Sequence, residues 1–481
     1  MKKLILAFLF FTLVPPVFAQ KTQQQKIDSV AKLVVQYWNE KNADKIYNMA
    51  GTAFREELPE ATFRQIATTN LFPAGAITES RFIGHRNGVS KYLVVTPADK
   101  LQMLISLDSS DKLQMFYFPP YKEEIVKRTR RLLSDNPLKT AMDRQVDSVM
   151  QNFFADSLTA GGSLGILKDG KTYFYNYGET RKGNNALPSS RSLYEIGSIS
   201  KTFTGVLLAF AVNEGKLKLS DPVNKYLPAN IPALQRNGKA VTVAMLSNHS
   251  SGIARLPIGM FGYNPLNPYK TYGNEQMMAD LLKLQPESDP GSRYSYSNFA
   301  VGILGVILEN LYKKSYDELV REKIAVPLKM NMTGQYTDKK FPAQFTQGHN
   351  EAGKPTPHWE FGSLAAAGAL ISNTEDMLKY AAANIATNNK KLDNAIRLAQ
   401  QPTFISDSTH AISDGVESIG LGWHIASLNG KKFHTHSGGT GGFRTFLGVV
   451  PDAKLAVVFL TNQATDAQAP AMILVNKLLK D

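Results

Sequence analysis

Ser198 and Lys201 carry the strongest chemical content in the sequence. They lie in Tyr194-Glu195-Ile196-Gly197-Ser198-Ile199-Ser200-Lys201-Thr202-Phe203-Thr204-Gly205. Three apart in a helical pattern, the two side chains share a face. A serine hydroxyl attacks a carbonyl at neutral pH only with a base within hydrogen-bond reach, and a lysine serves when burial or neighbouring cations keep its amine neutral. The apolar run Val206 to Val212 predicts a buried helix that opens at Ser198. A helix start also turns backbone N–H groups and the positive dipole end toward the oxyanion that forms on attack. The spacing alone is unspecific, because Ser29/Lys32 and Ser109/Lys112 repeat it where nothing else points to catalysis.

Two further segments supply company. Pro290 to Ala300 is a turn and loop that offers the phenol of Tyr296 and the amide of Asn298 just before the apolar helix Val301 to Leu311. Near the C-terminus, Lys432 to Arg444 enters a glycine-rich turn through His434, His436, Ser437, Gly438 and Gly439; such glycines let a substrate backbone approach a strand edge. His434 and His436 alternate onto one face, but without HExxH, cysteines or a nearby carboxylate cluster no metal site is expected. Leu246 to Ile253 ends a helix at Gly252.

The ordered set Ser198-x-x-Lys201, Tyr296-x-Asn298 and His436-Ser437-Gly438 resembles the three active-site motifs of the serine β-lactamase and penicillin-binding-protein superfamily. The tyrosine points to the class C branch with its D,D-carboxypeptidase, esterase and aminopeptidase relatives. The His249-Ser250-Ser251-Gly252 turn, Ala366-Ala367-Gly368, Gly420-Leu421-Gly422-Trp423 and Gly438 to Phe443 agree, and the resemblance covers about residues 140–481. It implies an acyl-enzyme on Ser198, Lys201 as base and Tyr296 as proton relay. It implies further an oxyanion held between the N–H groups of Ser198 and Gly439, a substrate amide oriented by Asn298, and no metal or organic cofactor. The implied substrates are D-amino-acid peptides or small esters, cell-wall fragments included; a class C-type β-lactamase and a non-catalytic penicillin-binding sensor are the alternatives. His436 departs from the lysine usual in class C β-lactamases and is similar to the peptidase and esterase relatives. A lysine is a fixed cation for a substrate carboxylate, whereas histidine is cationic only part of the time near neutral pH.

The elements around these motifs read as an α+β fold: an α/β sandwich with an antiparallel sheet flanked by helices, an all-helical region in its middle, and a small α+β domain ahead of it. A helix through Met142 to Phe153 and a hairpin turning at Asp169-Gly170 precede Ser198, so both ends of the domain are expected to complete the sheet. Substrate selection is expected in the loops Pro257 to Thr271 and Phe341 to Phe361. Residues 20–118 give helices over Gln25–Ala50 and Phe54–Ile66, then strands at Ile77–Arg86, Lys91–Thr96, Leu101–Asp108 and Leu113–Phe118. On pattern alone this unit resembles NTF2-like accessory domains. Residues 119–139 read as a solvated basic linker.

Residues 1–19, with Lys2-Lys3, an apolar core and Ala19, read as a cleavable secretory signal, which places the mature protein in a bacterial periplasm or outside the cell. The 481 residues contain no cysteine, which excludes disulfides, thiolate metal sites and a cysteine nucleophile. The formal charge of +13 comes without aromatic interleaving or a nucleic-acid motif, so no nucleic-acid partner is expected, and no segment after the signal reads as membrane-spanning.

Overall fold

The computed structural model describes residues 23–480 except 87, 122–127, 129, 157, 261–263, 407–411 and 413–414. The signal read at residues 1–19 and positions 122–127 and 129 of the stretch read as a linker therefore lie outside the described residues. The chain divides into two compact units, Met1–Tyr121 and Lys122–Asp481.

In the first unit, helices Gln23–Asn39, Ala43–Tyr47, Thr52–Glu57 and Glu60–Ile66 precede four antiparallel strands, Glu79–Arg86, Val89–Val95, Lys100–Leu107 and Leu113–Tyr117, in sequential order. The helix expected over Gln25–Ala50 is broken after Asn39. Lys41 turns left-handed (φ 53°), and the Asn42 side chain caps the next helix by accepting from the Lys45 N–H. The one expected over Phe54–Ile66 is split at Pro59, whose ring cannot continue a helix from the preceding turn. The indole of Trp38 closes this core against Phe72 and Phe118 and donates to the Gly75 carbonyl at 2.8 Å.

The second unit is built on an eight-stranded antiparallel sheet. Its order is Phe404–Ile405, Ser418–Ile419, His424–Leu428, Lys431–Gly439, Arg444–Val450, Leu455–Thr461, Gly161–Lys168, Lys171–Gly178. The N-terminal hairpin, turning at Asp169 (φ 49°) and Gly170 (φ 78°), thus joins the last strand of the chain, Gly162 opposite Thr461. Along Leu455–Thr461, Val457 and Phe459 face one way and Val458 and Leu460 the other, as period-two alternation requires. The first pair packs beneath helices Ala141–Phe153 and Gln468–Leu478, the second against the large helical region that holds Ser200–Asn213. Within the stretch read as a linker, Leu132 is buried, and the Gly178 N–H donates to the Leu133 carbonyl at 2.8 Å, so this backbone covers part of an otherwise open sheet edge.

Helix Ser200–Asn213 is buried on every side from Ser200 to Ala211, which a helix with no polar face requires. At Gly205 an added Cβ would stand 1.9 Å from the Leu421 carbonyl oxygen, so the helix lies directly against the Gly420–Trp423 backbone. Phe203, Val206, Leu207, Leu208 and Phe210 are all buried, together about 10 kcal/mol of apolar burial. Burying the amine of Lys201 among them disfavours its charged form and works against this gain. The apolar majority of the helix outweighs its one ionisable member.

Candidate active site

Ser198 sits in a single 3₁₀ turn, Gly197–Ile199, immediately before the helix. The helix therefore opens two residues later than the spacing predicted. The cause is Gly197, whose left-handed backbone (φ 52°) bends the chain before Ser198. A Cβ on Gly197 would lie 2.7 Å from the Gly439 nitrogen, and one on Gly438 would lie 2.0 Å from the Ile196 oxygen. The Ser198 turn therefore meets the end of strand Lys431–Gly439 backbone to backbone, and the Thr445 hydroxyl fastens the junction by donating to the Ile196 carbonyl at 2.9 Å.

One turn on, the Lys201 Nζ lies 3.0 Å from the Ser198 Oγ and donates to the Ala367 carbonyl at 2.6 Å. Burial, reinforced by the positive charge of Arg255, holds the Lys201 amine well below the ordinary lysine range. The same nitrogen stands 4.8 Å from the centre of the Tyr296 ring, whose hydroxyl also hydrogen-bonds Ser198. Burial pushes the Tyr296 phenol up to about 12, the bond to Ser198 pulling the other way, so it is protonated at neutral pH. Burial thus shifts the amine toward its proton-free form and keeps the phenol in its protonated one.

Asn298 is not in the loop but is the first residue of helix Asn298–Tyr312, capped by the Ser297 hydroxyl accepting from the Ala300 N–H at 2.9 Å. Its Nδ2 donates to the Tyr269 hydroxyl at 3.2 Å, while its buried Oδ1 has no partner and is left to accept a ligand N–H. His436 lies on the strand with Ser437, Gly438 and Gly439, donating from Nδ1 to the Ser437 carbonyl at 2.6 Å, which leaves Nε2 as an acceptor. Burial, with His424 and Lys201 nearby, holds the His436 imidazole well below the usual range. It is neutral at pH 7, not partly cationic as its type alone implied. His434 shares its face but packs edge-on to Trp423 instead of entering this cluster.

The structure thus brings Ser198, Lys201, Tyr296, Asn298 and His436–Gly439 into one cleft, and it adds three residues that the motifs left unassigned. The ring of His249 lies 4.3 Å from that of Tyr296 and accepts the Ser297 N–H at its Nδ1, 3.1 Å away, fixing the loop that carries the phenol. His249 holds a left-handed backbone (φ 63°), a strained state for a non-glycine residue at the turn already marked by Gly252. His424 stacks on His436 at 4.9 Å and bonds the Tyr294 hydroxyl at 3.1 Å; it directly follows the Gly420–Trp423 run. Arg255 lies 5.0 Å over the Tyr296 ring, three residues beyond Gly252. The two loops expected to select substrate pack on each other through the stacked rings of Tyr269 and Phe361 and the Trp359 Nε1 bond to the Leu266 carbonyl.

A sheet between two helical layers, with a serine and a lysine amine in contact at its edge, is the layout of a serine hydrolase. The Beta-lactamase family model matches residues 146–479, and the chain belongs to that family. The D-alanyl-D-alanine-carboxypeptidase/endopeptidase AmpH of Escherichia coli (strain K12) is 27% identical over 328 residues, 66% of this chain and 83% of that protein. A beta-lactamase of Pseudomonas fluorescens is 26% identical over 355 residues, 67% of this chain and 94% of its own length. The solved octameric penicillin-binding protein homologue from Pyrococcus abyssi superposes with a TM-score of 0.61 at 28% identity, over 70% of this chain and 77% of that one. A beta-lactamase/D-alanine carboxypeptidase from Pseudomonas syringae shares the fold with the same TM-score of 0.61 at 24% identity, over 71% of this chain and 99% of that one. These relatives support a serine hydrolase of the β-lactamase and penicillin-binding-protein superfamily. Among the described residues no helix is long and apolar enough to cross a membrane.

Proposed function

We propose that the protein is an exported serine hydrolase that cleaves an amide or ester through an acyl-enzyme, its substrate a D-amino-acid peptide or a small ester. The observation that carries this is the 3.0 Å contact between the Ser198 Oγ and a Lys201 amine that burial holds well below the ordinary lysine range. Lys201 takes the hydroxyl proton as Ser198 Oγ bonds to the substrate carbonyl carbon. The oxygen that becomes anionic is met by the N–H groups of Ser198 and Gly439. Tyr296, protonated at neutral pH, gives its proton to the departing nitrogen or oxygen and is recharged from Lys201. Asn298 orients the substrate amide through its free Oδ1. Water, deprotonated by the same pair, then attacks the ester to Ser198 and releases the acid. Because His436 is a neutral acceptor, the position lacks the fixed cation that a carboxylate-bearing β-lactam meets in the class C enzymes, which weights the peptidase and esterase branch over the β-lactamase. The residue 1–19 signal is the basis for export.

The test is the intact mass of the protein after incubation with a penicillin, run beside Ser198→Ala. A lasting adduct on the wild type alone is expected for a peptidase or penicillin-binding role. Consumed penicillin with no adduct would return the reading to a β-lactamase, and a variant acylated as fully as the wild type would remove Ser198 as the nucleophile.

A further inference from the structure

The guanidinium of Arg255 lies over the Tyr296 ring, where its charge bears on Lys201, and the chemistry above gives it no substrate contact. Three observations define its setting. Its backbone is pinned to the start of the Asn298 helix, the Arg255 carbonyl accepting from the N–H groups of Asn298 (2.9 Å) and Phe299 (3.3 Å). Its side chain is exposed and lies over the Tyr296 ring, and among the described residues it has neither a carboxylate partner nor a hydrogen-bond acceptor. Arg444, which borders the same cleft at Gly439, instead spends its Nη1 on the carbonyls of Thr440 (2.6 Å) and Phe443 (2.9 Å). A guanidinium presents several donors in a rigid fork matched to a carboxylate, and an unpaired one over an aromatic face is held ready for such a partner.

We propose that Arg255 is a specificity residue that binds a carboxylate carried on the acyl portion of the substrate, the portion that stays on Ser198 after the leaving group departs. The assignment to the acyl side rests on the proposed function, in which Asn298 orients the substrate amide. Arg255 is tied to Asn298 by its own carbonyl, whereas the end marked by His436 offers imidazoles that burial holds toward the neutral form and an Arg444 whose Nη1 is already bonded to backbone carbonyls. The substrate class narrows to acyl donors with a free anionic group a few bonds from the scissile carbonyl, such as peptides containing an acidic or diacid residue.

Two esters with one leaving group separate this from a general effect: p-nitrophenyl hexanoate and mono-p-nitrophenyl adipate, equal in acyl length and differing by a terminal carboxylate. The readout is the ratio of kcat/KM for the adipate to that for the hexanoate. It is expected to fall about 10- to 100-fold in Arg255→Met, the usual strength of a charge-assisted hydrogen bond, and further in Arg255→Glu, while Arg255→Lys keeps most of it. Equal losses on both esters would show that Arg255 acts only by keeping Lys201 neutral, and would overturn the proposal, as would a ratio unchanged in all three variants. Release from both esters by Ser198→Ala at the wild-type rate would instead overturn the proposed function beneath it.

Discussion

His434 permits a quantitative prediction about acid stability. The imidazole is buried on the site strand beside Trp423, and burial lowers its pKa to about 4 from 6.5. The unfolded chain therefore takes up a proton below pH 6.5 that the folded chain refuses until about pH 4, so stability is full above 6.5 and is lost as the pH falls toward 4. The complete loss is about 3.4 kcal/mol, of which about 2 kcal/mol falls between pH 7 and pH 5. His249, His424 and His436 are lowered in the same direction, chiefly by burial, and steepen the slope; His358, raised by its bond to Glu195 despite burial, opposes it. The perturbation that isolates one group is His434→Gln, which keeps a side-chain N–H where Nε2 stands and removes the titration. Urea unfolding of both proteins, followed by tryptophan fluorescence at pH 5, 6 and 7, should show the variant losing about 2 kcal/mol less than the wild type across that range. Identical losses in the two proteins would refute the assignment of a neutral, buried His434.

Lys201→Met should lower kcat/KM by at least about 100-fold, since it removes the proposed base. The same change should raise the thermal midpoint at pH 7, because the penalty of burying an ionisable amine disappears and only the Ala367 carbonyl is left without its donor. A midpoint below that of the wild type would contradict the burial account. Gly205→Ala should cost the upper end of about 1–3 kcal/mol or more, because the new methyl meets a backbone oxygen that cannot move aside; soluble protein with an unchanged melting curve would contradict that.

What the sequence made legible follows how local each signal is. Ser198-x-x-Lys201 and Tyr296-x-Asn298 declare themselves because side chains a few residues apart are placed by one helix or one turn. The hairpin at Asp169-Gly170 and the strands on either side of it read for the same reason, since two-residue turns with left-handed backbones have few other solutions. Arg255, His249 and His424 were hidden because their partner is the Tyr294–Tyr296 loop, reached only through the tertiary fold: His249 and Ser297 are 48 residues apart, and His424 and Tyr294 are 130 apart. The charge of His436 was hidden similarly. Its type allows either state, and only burial beside His424 and Lys201 selects the neutral one. The early helices were overextended because apolar periodicity carried the expectation through Lys41 and Pro59, where a left-handed turn and a missing donor end the pattern.

The backbone junction between Gly197 and the Gly438–Gly439 strand end has a temporal consequence. One side of that junction lies about two-fifths of the way along the chain and the other in its last tenth, whose final strand must also pair with Gly161–Lys168 before the sheet is whole. A chain still being made can form helix Ser200–Asn213 and bring Lys201 up to Ser198, yet it lacks both the strands that bury this helix and the strand end on which the proposed oxyanion site depends. Such a chain, or one cut short before residue 430, lacks three of the eight strands of the sheet and with them Gly438 and Gly439. The proposed site is complete only when the two ends of the second unit have found each other.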